Sequence, residues 1–445
     1  MQGKDIFFGL EAVAAGGFRA MRLMLKPRNA LESADFIREA FPVPKPQNSI
    51  TLLLLLLSAT YLAAQTGKSL QHTPEMAAIR SFYEAGLRKN GILGSSLEIV
   101  RDGQVVLHDN YGVQSRVPER PVTDDTAYHW ASCTKTFTGI AIMQLRDRGL
   151  LSLDDPLVKY IPELSVVHDS FGPISKITIR HMMTHSGGFR DPTWPWRDAE
   201  WQPFEPTQWS QIVAMLPYTD VAFAPGSRFS YSNLGVVFLG EIIERLSGDP
   251  YEVYIDKNIL KPLGMNRTYF DRSPYHLLQY RSHSWDLKDG KLTEDEFNFN
   301  TGITWSNGGL NSPFTDMEKY IRFLIGDAED KARQAEYDAV LTRSSLEEMW
   351  KPYLHVVADD DFVSRTGAHD DVAASFFVHT DGQLKLIGHA GWQNGFRSHF
   401  YIDPATRSAY IVAYNTDATD AVQNTRSWDF ELRDHLIDHF LRAEK

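Results

Sequence analysis

The sequence is poor in cysteine and has no excess of positive charge, and both shortages exclude classes of protein. Cys133 is the only cysteine in 445 residues, so no disulfide can form within the chain. Lysine and arginine total 45 against 57 acidic residues, which gives a formal net charge of −12. Nucleic-acid binding needs clustered positive charge, so this balance argues against a nucleic-acid partner.

Long apolar runs are also scarce. One of them, residues 50–64 (ITLLLLLLSATYLAA), is shorter than the roughly 20 residues of a comfortable membrane span. It fits the apolar region of a signal peptide, because Lys45 precedes it and small residues end it. We expect residues 1–49 to be an N-terminal extension. Either the true start is Val43, which leaves a short segment before the apolar run, or the extension is a cytoplasmic tail before a membrane anchor. On either expectation the protein is exported from a bacterial cell, to the periplasm or the medium, and any membrane contact is made by residues 50–64.

Helix and strand signals fill the remaining chain, residues 74–445. Thr73 is a good N-cap residue and Pro74 suits a first helical position, which predicts a helix over 74–90. Asp102-Gly103 between β-prone runs predicts a hairpin. The middle of the chain favours helices over 132–148, 234–246 and 315–325, and a helix start at Asp155-Pro156. Strands are predicted over 384–388, 399–403 and 409–414, before a closing helix over 427–442.

This order of elements predicts an α+β fold. Strands at both ends with helices between them indicate one sheet built from both termini. The helical middle is then an inserted subdomain, and residues 74–445 form a single catalytic or binding domain.

One short segment, Ser132-Cys133-Thr134-Lys135, favours enzyme chemistry. Serine and lysine three residues apart share a helix face, so the amine can reach the hydroxyl. That pair is the minimum needed to activate a serine without a histidine and an aspartate. The spacing alone is weak, because such a match occurs by chance about once in a chain of this length, most often on an exposed helix turn.

Two later motifs and one longer segment strengthen the interpretation. Tyr231-Ser232-Asn233 and His389-Ala390-Gly391 follow in that order, with the segment ITIRHMMTHSGG at 177–188 between Lys135 and Tyr231. With these motifs, the chain from about Pro74 onward resembles the class C β-lactamase and penicillin-binding-protein-like serine hydrolases. The resemblance implies an antiparallel sheet flanked by helices, with the active site where the sheet meets the helical subdomain.

Roles for three residues follow from these motifs. Ser132 is the predicted nucleophile, and at a helix start its unpaired N–H and the helix dipole would favour an oxyanion. Lys135 would be the base or tune it, provided that its surroundings lower its ordinary pKa of about 10.4. By resemblance, Tyr231 lies between nucleophile and leaving group and carries the proton. Which of Lys135 and Tyr231 is the base stays open.

The resemblance also assigns binding residues. Asn233 would bind a substrate amide or orient Lys135, although Ser232 or Asn233 is equally an N-cap of the next helix. His389 and Gly391 stand where β-lactamases carry K-T-G, and the backbone N–H of Trp392 would be the second oxyanion donor. A histidine is mostly neutral at pH 7, whereas the usual lysine holds a substrate carboxylate.

Rival chemistries have weaker support. The sequence contains no G-x-S-x-G, which argues against an α/β-hydrolase. His181 and His185 are four residues apart, but the glutamate of a zinc protease motif is missing. Cys133 stands in an apolar context that favours packing. We therefore expect no metal and no cofactor.

The sequence predicts an exported serine hydrolase that cleaves esters or amides through an acyl-enzyme on Ser132. Its partner would be a small molecule or a peptide: an ester, a D-amino-acid peptide, a peptidoglycan fragment or, weakly, a β-lactam. The alternative is a penicillin-recognising sensor that is acylated without turnover. A non-catalytic scaffold is a third possibility, against which the joint presence of Ser132, Lys135 and Tyr231 argues.

Overall fold

A computed structural model describes residues 73–189, 206–357 and 367–442. The predicted extension 1–49 and the apolar run 50–64 lie outside these residues. None of the described helices combines the length and apolar character that a membrane crossing requires.

Most of the α-helices lie in the middle of the chain. Those of the described residues, in chain order, are α1 (Pro74–Lys89), α2 (Thr134–Asp147), α3 (Ile179–Met183), α4 (Trp209–Met215), α5 (Asn233–Ser247), α6 (Tyr251–Ile255), α7 (Trp305–Gly308), α8 (Phe314–Ile325), α9 (Lys331–Val340), α10 (Arg343–Met349) and α11 (Thr425–Leu436). A short 3-10 turn, Ala131–Cys133, directly precedes α2.

Strands concentrate toward the two ends. Those of the described residues are β1 (Gly94–Arg101), β2 (Gln104–Arg116), β3 (Glu119–Pro121), β4 (Ala127–His129), β5 (Tyr269–Phe270), β6 (Trp285–Lys288), β7 (Lys291–Glu294), β8 (Leu310–Pro313), β9 (Leu354–His355), β10 (Ala368–Val372), β11 (Phe377–Asp381), β12 (Leu384–Gln393), β13 (Phe396–Asp403), β14 (Ser408–Tyr414) and β15 (Thr416–Ala418).

The main sheet joins the beginning and the end of this domain. It has nine strands in the order β3-β2-β1-β14-β13-β12-β11-β10-β9, and its neighbours are antiparallel. β1 from the first part of the domain pairs directly with β14 from the last, with Leu97 opposite Val412. The predicted α+β class, with one sheet from both termini and helices between, is confirmed.

Each face of the sheet packs on a different hydrophobic core. Leu386 of β12 belongs to a core shared with α1 and α11, whereas its neighbour Ile387 belongs to the larger core around α2, α5 and α8. This difference follows from the strand period of two, which sends successive side chains to opposite faces. The helical middle of the chain therefore covers one face only.

The local predictions near the first strands are confirmed. The Thr73 hydroxyl accepts a hydrogen bond from the Met76 N–H at 3.3 Å, so α1 has its expected N-cap. Asp102 and Gly103 join β1 to β2 with φ angles of +48° and +72°. Positive φ at both central positions is the geometry of a tight hairpin turn.

The helix start predicted at Asp155-Pro156 is wrong. Only a 3-10 turn, Leu157–Lys159, follows, and no side chain caps it. The Asp155 carboxylate instead accepts hydrogen bonds from the Ser152 N–H and the Tyr160 hydroxyl. An acceptor that is already engaged by a preceding turn is not available to cap a helix.

The two ends of the domain meet on the outer face of the sheet. Arg101 pairs with Glu75 of α1 at 2.8 Å, and its guanidinium also lies 4.5 Å from the ring centre of Phe440. Further along, α1 carries Gly86 against the ring of Trp428 in α11 so closely that an added Cβ would lie 2.1 Å from it. These contacts fasten α1 to α11.

Candidate active site

Ser132 lies in the 3-10 turn before α2. The α-helix that the sequence predicts from Ser132 begins two residues later, at Thr134. The preceding residue, Ala131, has φ = +44°, a left-handed conformation that is uncommon for a side chain with a Cβ. The turn leaves Ser132 half-buried. Its backbone N–H has no hydrogen-bond acceptor among the described residues, as expected for a group at a helix start.

Lys135 brings its amine to the serine. The Nζ atom donates to Ser132 Oγ at 2.8 Å and to the carbonyl oxygen of Asn307 at 2.7 Å. It also lies 4.9 Å from the ring centre of Tyr231. The side chain is 1% exposed, so these contacts take place away from bulk water, where hydrogen bonds to an amine are stronger.

The start of α5 carries Tyr231 into the site. Ser232 is the N-cap, since its hydroxyl accepts from the Gly235 N–H at 3.1 Å, and Asn233 is the first helical residue. Of the two capping candidates, the structure selects Ser232. Both Tyr231 and Asn233 remain half-buried at the helix start.

The end of β12 closes another side of the site. Gly391 is packed so tightly that an added Cβ would lie 2.2 Å from the Trp130 carbonyl oxygen and 3.1 Å from the Ser132 nitrogen. The Cys133 thiol faces the same strand, 3.4 Å from the His389 carbonyl oxygen, and burial raises its pKa to about 12. Cys133 is thus a packing residue, and Gly391 keeps the Ser132 N–H uncrowded.

His389 is buried and neutral. Its Nδ1 lies 2.6 Å from the Ala390 carbonyl oxygen, so Nδ1 carries the proton and donates it to that oxygen. Nε2 is then the lone-pair nitrogen, and it has no partner among the described residues. Burial, with the nearby Lys135 charge, lowers the pKa of His389 to about 3.

Trp392 points away from the serine. Alternation along β12 sends His389 and Gly391 toward Ser132, and the Trp392 side chain, 62% exposed, toward the other face. There its indole N–H donates to Asp417 at 2.8 Å, and Arg397 pairs with the same carboxylate. The charge of Arg397 is therefore balanced by Asp417, in a pair that is largely buried.

Two contributors to the site were not predicted. Asn307 supplies a backbone carbonyl to Lys135, a role that no side-chain motif could reveal. The spacing of His185 from His181 suggests only a metal pair, but the His185 ring stacks on Tyr231 at 4.3 Å and 24°. The HSGG stretch that contains His185 was the available signal.

The two histidines serve different parts of the structure. His181 Nδ1 accepts from the Thr178 N–H at 3.2 Å and completes a capping box at the start of α3. His185 Nδ1 accepts from the Ser232 N–H at 3.1 Å. No group of three or more potential ligands placed to hold a metal occurs within 73–189, 206–357 and 367–442.

The predicted site residues thus converge from three separate parts of the chain. The turn before α2 contributes the hydroxyl and the first turn of α2 the amine. The start of α5 contributes a phenol, and the end of β12 contributes a neutral histidine and a glycine. A serine bonded to a buried amine, with an open N–H beside it, is an arrangement suited to nucleophilic attack on a carbonyl.

Comparison with known proteins identifies the family of the chain. The family model described as Beta-lactamase matches residues 79–431, which is most of the chain. The chain belongs to the Beta-lactamase family. It is a member of the group of serine hydrolases that resemble β-lactamases and penicillin-binding proteins, as the motifs indicated.

Relatives by sequence are distant. Protein flp of Staphylococcus aureus (strain COL) is 25% identical over 340 residues, 76% of this chain. The match spans 63% of the length of that relative. Penicillin-binding protein 4* of Bacillus subtilis (strain 168) is 28% identical over 238 residues, 51% of each chain.

Two solved structures have the same fold. The octameric penicillin-binding protein homologue from Pyrococcus abyssi has a TM-score of 0.66 at 27% identity, over 82% of this chain and 77% of that one. A class C β-lactamase has a TM-score of 0.63 at 19% identity, over 82% of this chain and 98% of that one.

Proposed function

We propose that this protein is an exported serine hydrolase that cleaves ester or amide bonds through an acyl-enzyme on Ser132. The observation that carries the proposal is the 2.8 Å hydrogen bond between Lys135 Nζ and Ser132 Oγ, made by a lysine that is 1% exposed. A surface lysine at the same spacing would have neither the burial nor the contact with the serine.

Acylation would begin with attack of Ser132 Oγ on the substrate carbonyl carbon. The hydroxyl proton passes to Lys135 or Tyr231 as the new C–O bond forms, and the carbonyl oxygen becomes an oxyanion. The Ser132 N–H is open to receive that oxyanion, and the Trp392 N–H is the proposed second donor. Collapse of the intermediate expels the alcohol or amine, which takes the proton from the same group.

Deacylation would run the same chemistry with water. Water attacks the acyl carbon, gives its proton to Tyr231 or Lys135, and the C–O bond to Ser132 breaks. The acid product leaves and the serine recovers its proton. Asn233, at the first position of α5, would orient the substrate amide or Lys135.

The surroundings of His389 favour substrates without a required carboxylate. Because its pKa is lowered to about 3, His389 carries no charge near pH 7, and the charge of Arg397 is balanced by Asp417. This supports small esters and D-amino-acid amides without a free carboxylate over β-lactams, whose carboxylate would gain little here.

A fluorophosphonate probe tests the proposal. We expect one adduct, seen by intact mass, on the parent protein and none on Ser132→Ala, because only an activated serine attacks phosphorus. Cys133→Ala is the matched control and should be labelled like the parent. No adduct on the folded parent would refute the hydrolase proposal.

Turnover then separates an enzyme from a sensor. Steady-state release of product from p-nitrophenyl acetate or a D-alanyl amide supports a hydrolase. A single burst equal to the protein concentration, with a stable acyl adduct, would instead support the penicillin-recognising sensor.

A further inference from the structure

His185 makes three contacts with three consecutive residues. Its backbone carbonyl accepts from the Ser230 N–H at 2.8 Å, its ring stacks on Tyr231 at 4.3 Å, and its Nδ1 accepts from the Ser232 N–H at 3.1 Å. The segment Ser230–Ser232 is therefore held by one residue from the loop after α3.

His185 is itself fixed in place. It is 3% exposed and its φ is +49°, so its backbone is held in a sparsely populated conformation. Phe229 also packs edge-on against the ring at 6.1 Å. A side chain with so little freedom transmits its position to whatever it contacts.

The hydrogen bond from Ser232 defines the protonation state of the ring. Nδ1 accepts an N–H, so it carries no proton, and the single ring proton is on Nε2. The titratable groups near it are Lys135 of α2, His389 of β12 and the stacked Tyr231. Burial, Lys135 and His389 together lower the pKa of His185 well below its usual value, which preserves the acceptor.

We propose that His185 is a positioning residue that sets the phenol of Tyr231 against Ser132 and Lys135. This inference rests on the proposed function, because it assigns Tyr231 to proton transfer. Misplacement of a reacting group by about 1 Å can cost on the order of 100-fold in rate. The ring stack and the Ser232 hydrogen bond are the two contacts that the His185 side chain supplies.

Two variants separate these contacts. His185→Ala removes both, whereas His185→Asn keeps an acceptor in the place of Nδ1 and tolerates the positive φ. We expect His185→Ala to lower kcat for p-nitrophenyl acetate about 100-fold with KM within about threefold. His185→Asn should recover at least about tenfold of that loss.

A control variant and the labelling result separate the role of His185 from the proposed function. His276→Ala removes an exposed histidine and should leave kcat unchanged. A parent protein that is never labelled by fluorophosphonate contradicts the proposed function and not the role of His185. A labelled, active parent whose kcat survives His185→Ala overturns the positioning role, as does a His185→Asn variant no better than His185→Ala. If His185→Ala does not fold, His185→Asn is compared with the parent instead. Loss of the ring stack should still lower kcat a few-fold, and an unchanged kcat overturns the positioning role.

Discussion

At the residue scale, burial and a neighbouring charge keep two histidines beside Lys135 neutral. His185 and His389 are both buried, and both have a lowered pKa for which burial is the largest cause and the Lys135 charge the next. A second cation near Lys135 would be repelled, so the histidines serve as hydrogen-bonding groups and not as charges. Both histidines are therefore neutral near pH 7.

Neutral burial of His389 predicts acid sensitivity. Its pKa is about 3 in the folded protein and about 6.5 when unfolded, so the unfolded state binds the proton first as pH falls. The contribution of neutral His389 to the free energy of unfolding is therefore complete above about pH 6.5. It is lost as the pH falls from about 6.5 to 3, by up to about 1.4 kcal/mol per pH unit. Urea unfolding at pH 7 and pH 4.5 measures this loss.

The His389→Gln variant removes the titrating group and should lose less stability over the same interval. His276→Gln, at an exposed histidine, is the control and should follow the parent. Equal losses for His389→Gln and the parent would show that His389 does not contribute to the loss of stability at acid pH.

At the scale of elements, the site depends on β12 lying against the turn before α2. Gly391 allows this approach because its missing Cβ would meet the Trp130 carbonyl oxygen at 2.2 Å. Ser398 on β13 adds a hydrogen bond from its hydroxyl to the same carbonyl at 3.2 Å. The end of β12 therefore packs directly on the turn that carries Ser132, and the Ser132 N–H lies beside this contact.

Gly391→Ala should separate these elements. The added methyl must push β12 from the turn, which costs about 1–3 kcal/mol of stability as overpacking. It also crowds the Ser132 N–H, so we expect kcat/KM to fall about 100-fold. Ester hydrolysis and urea unfolding measure the two effects.

Ala390→Ser, the neighbouring change on the exposed face of β12, provides the comparison for Gly391→Ala. It should leave both quantities near the parent values. A Gly391→Ala protein with unchanged kcat/KM would show that the close approach is not needed for the chemistry.

Local signals predicted the elements that are built locally. Thr73 with Pro74 began α1, Asp102-Gly103 made the hairpin, and the apolar stretch after Ser232 became α5. Those features depend on neighbours in sequence, so short motifs contain them.

Features that depend on distant contacts escaped prediction. The 3-10 turn at Ser132, the stack of His185 on Tyr231 and the Asn307 carbonyl beside Lys135 arise where α2, α5 and α7 meet. A motif gives residue types, but it does not give the packing that makes the residues around Ser132 a strained 3-10 turn and not the first turn of an α-helix. The short strands β4, β5 and β8 were missed for the same reason, since β8 pairs with β4 and β5, which lie far from it along the chain.

At the scale of the whole molecule, α1 and α11 hold the outer face of the sheet. Trp428 of α11 is 2% exposed and fills the space that Gly86 of α1 leaves open. The core on this face contains residues from both ends of the domain, so it closes only when the last elements have joined the first.

Trp428→Ala should therefore destabilise the domain by about 3–5 kcal/mol, since it leaves a large cavity between helix and sheet. The chemistry lies on the other face, so folded Trp428→Ala protein should still be labelled at Ser132. Thermal and urea unfolding measure the loss. Trp392→Ala, at a tryptophan that is 62% exposed, should cost less than about 1 kcal/mol. Equal costs would contradict the assigned role of Trp428.

The contacts of Arg101 with Glu75 and Phe440 have a consequence for chain connectivity. One side chain bridges the first turn of α1 and the segment just after α11, so those two points are close in space. A short linker joining them would close the domain into a ring without disturbing the sheet. The protein is in this respect a natural candidate for circular permutation, with new ends opened in an exposed loop far from Ser132.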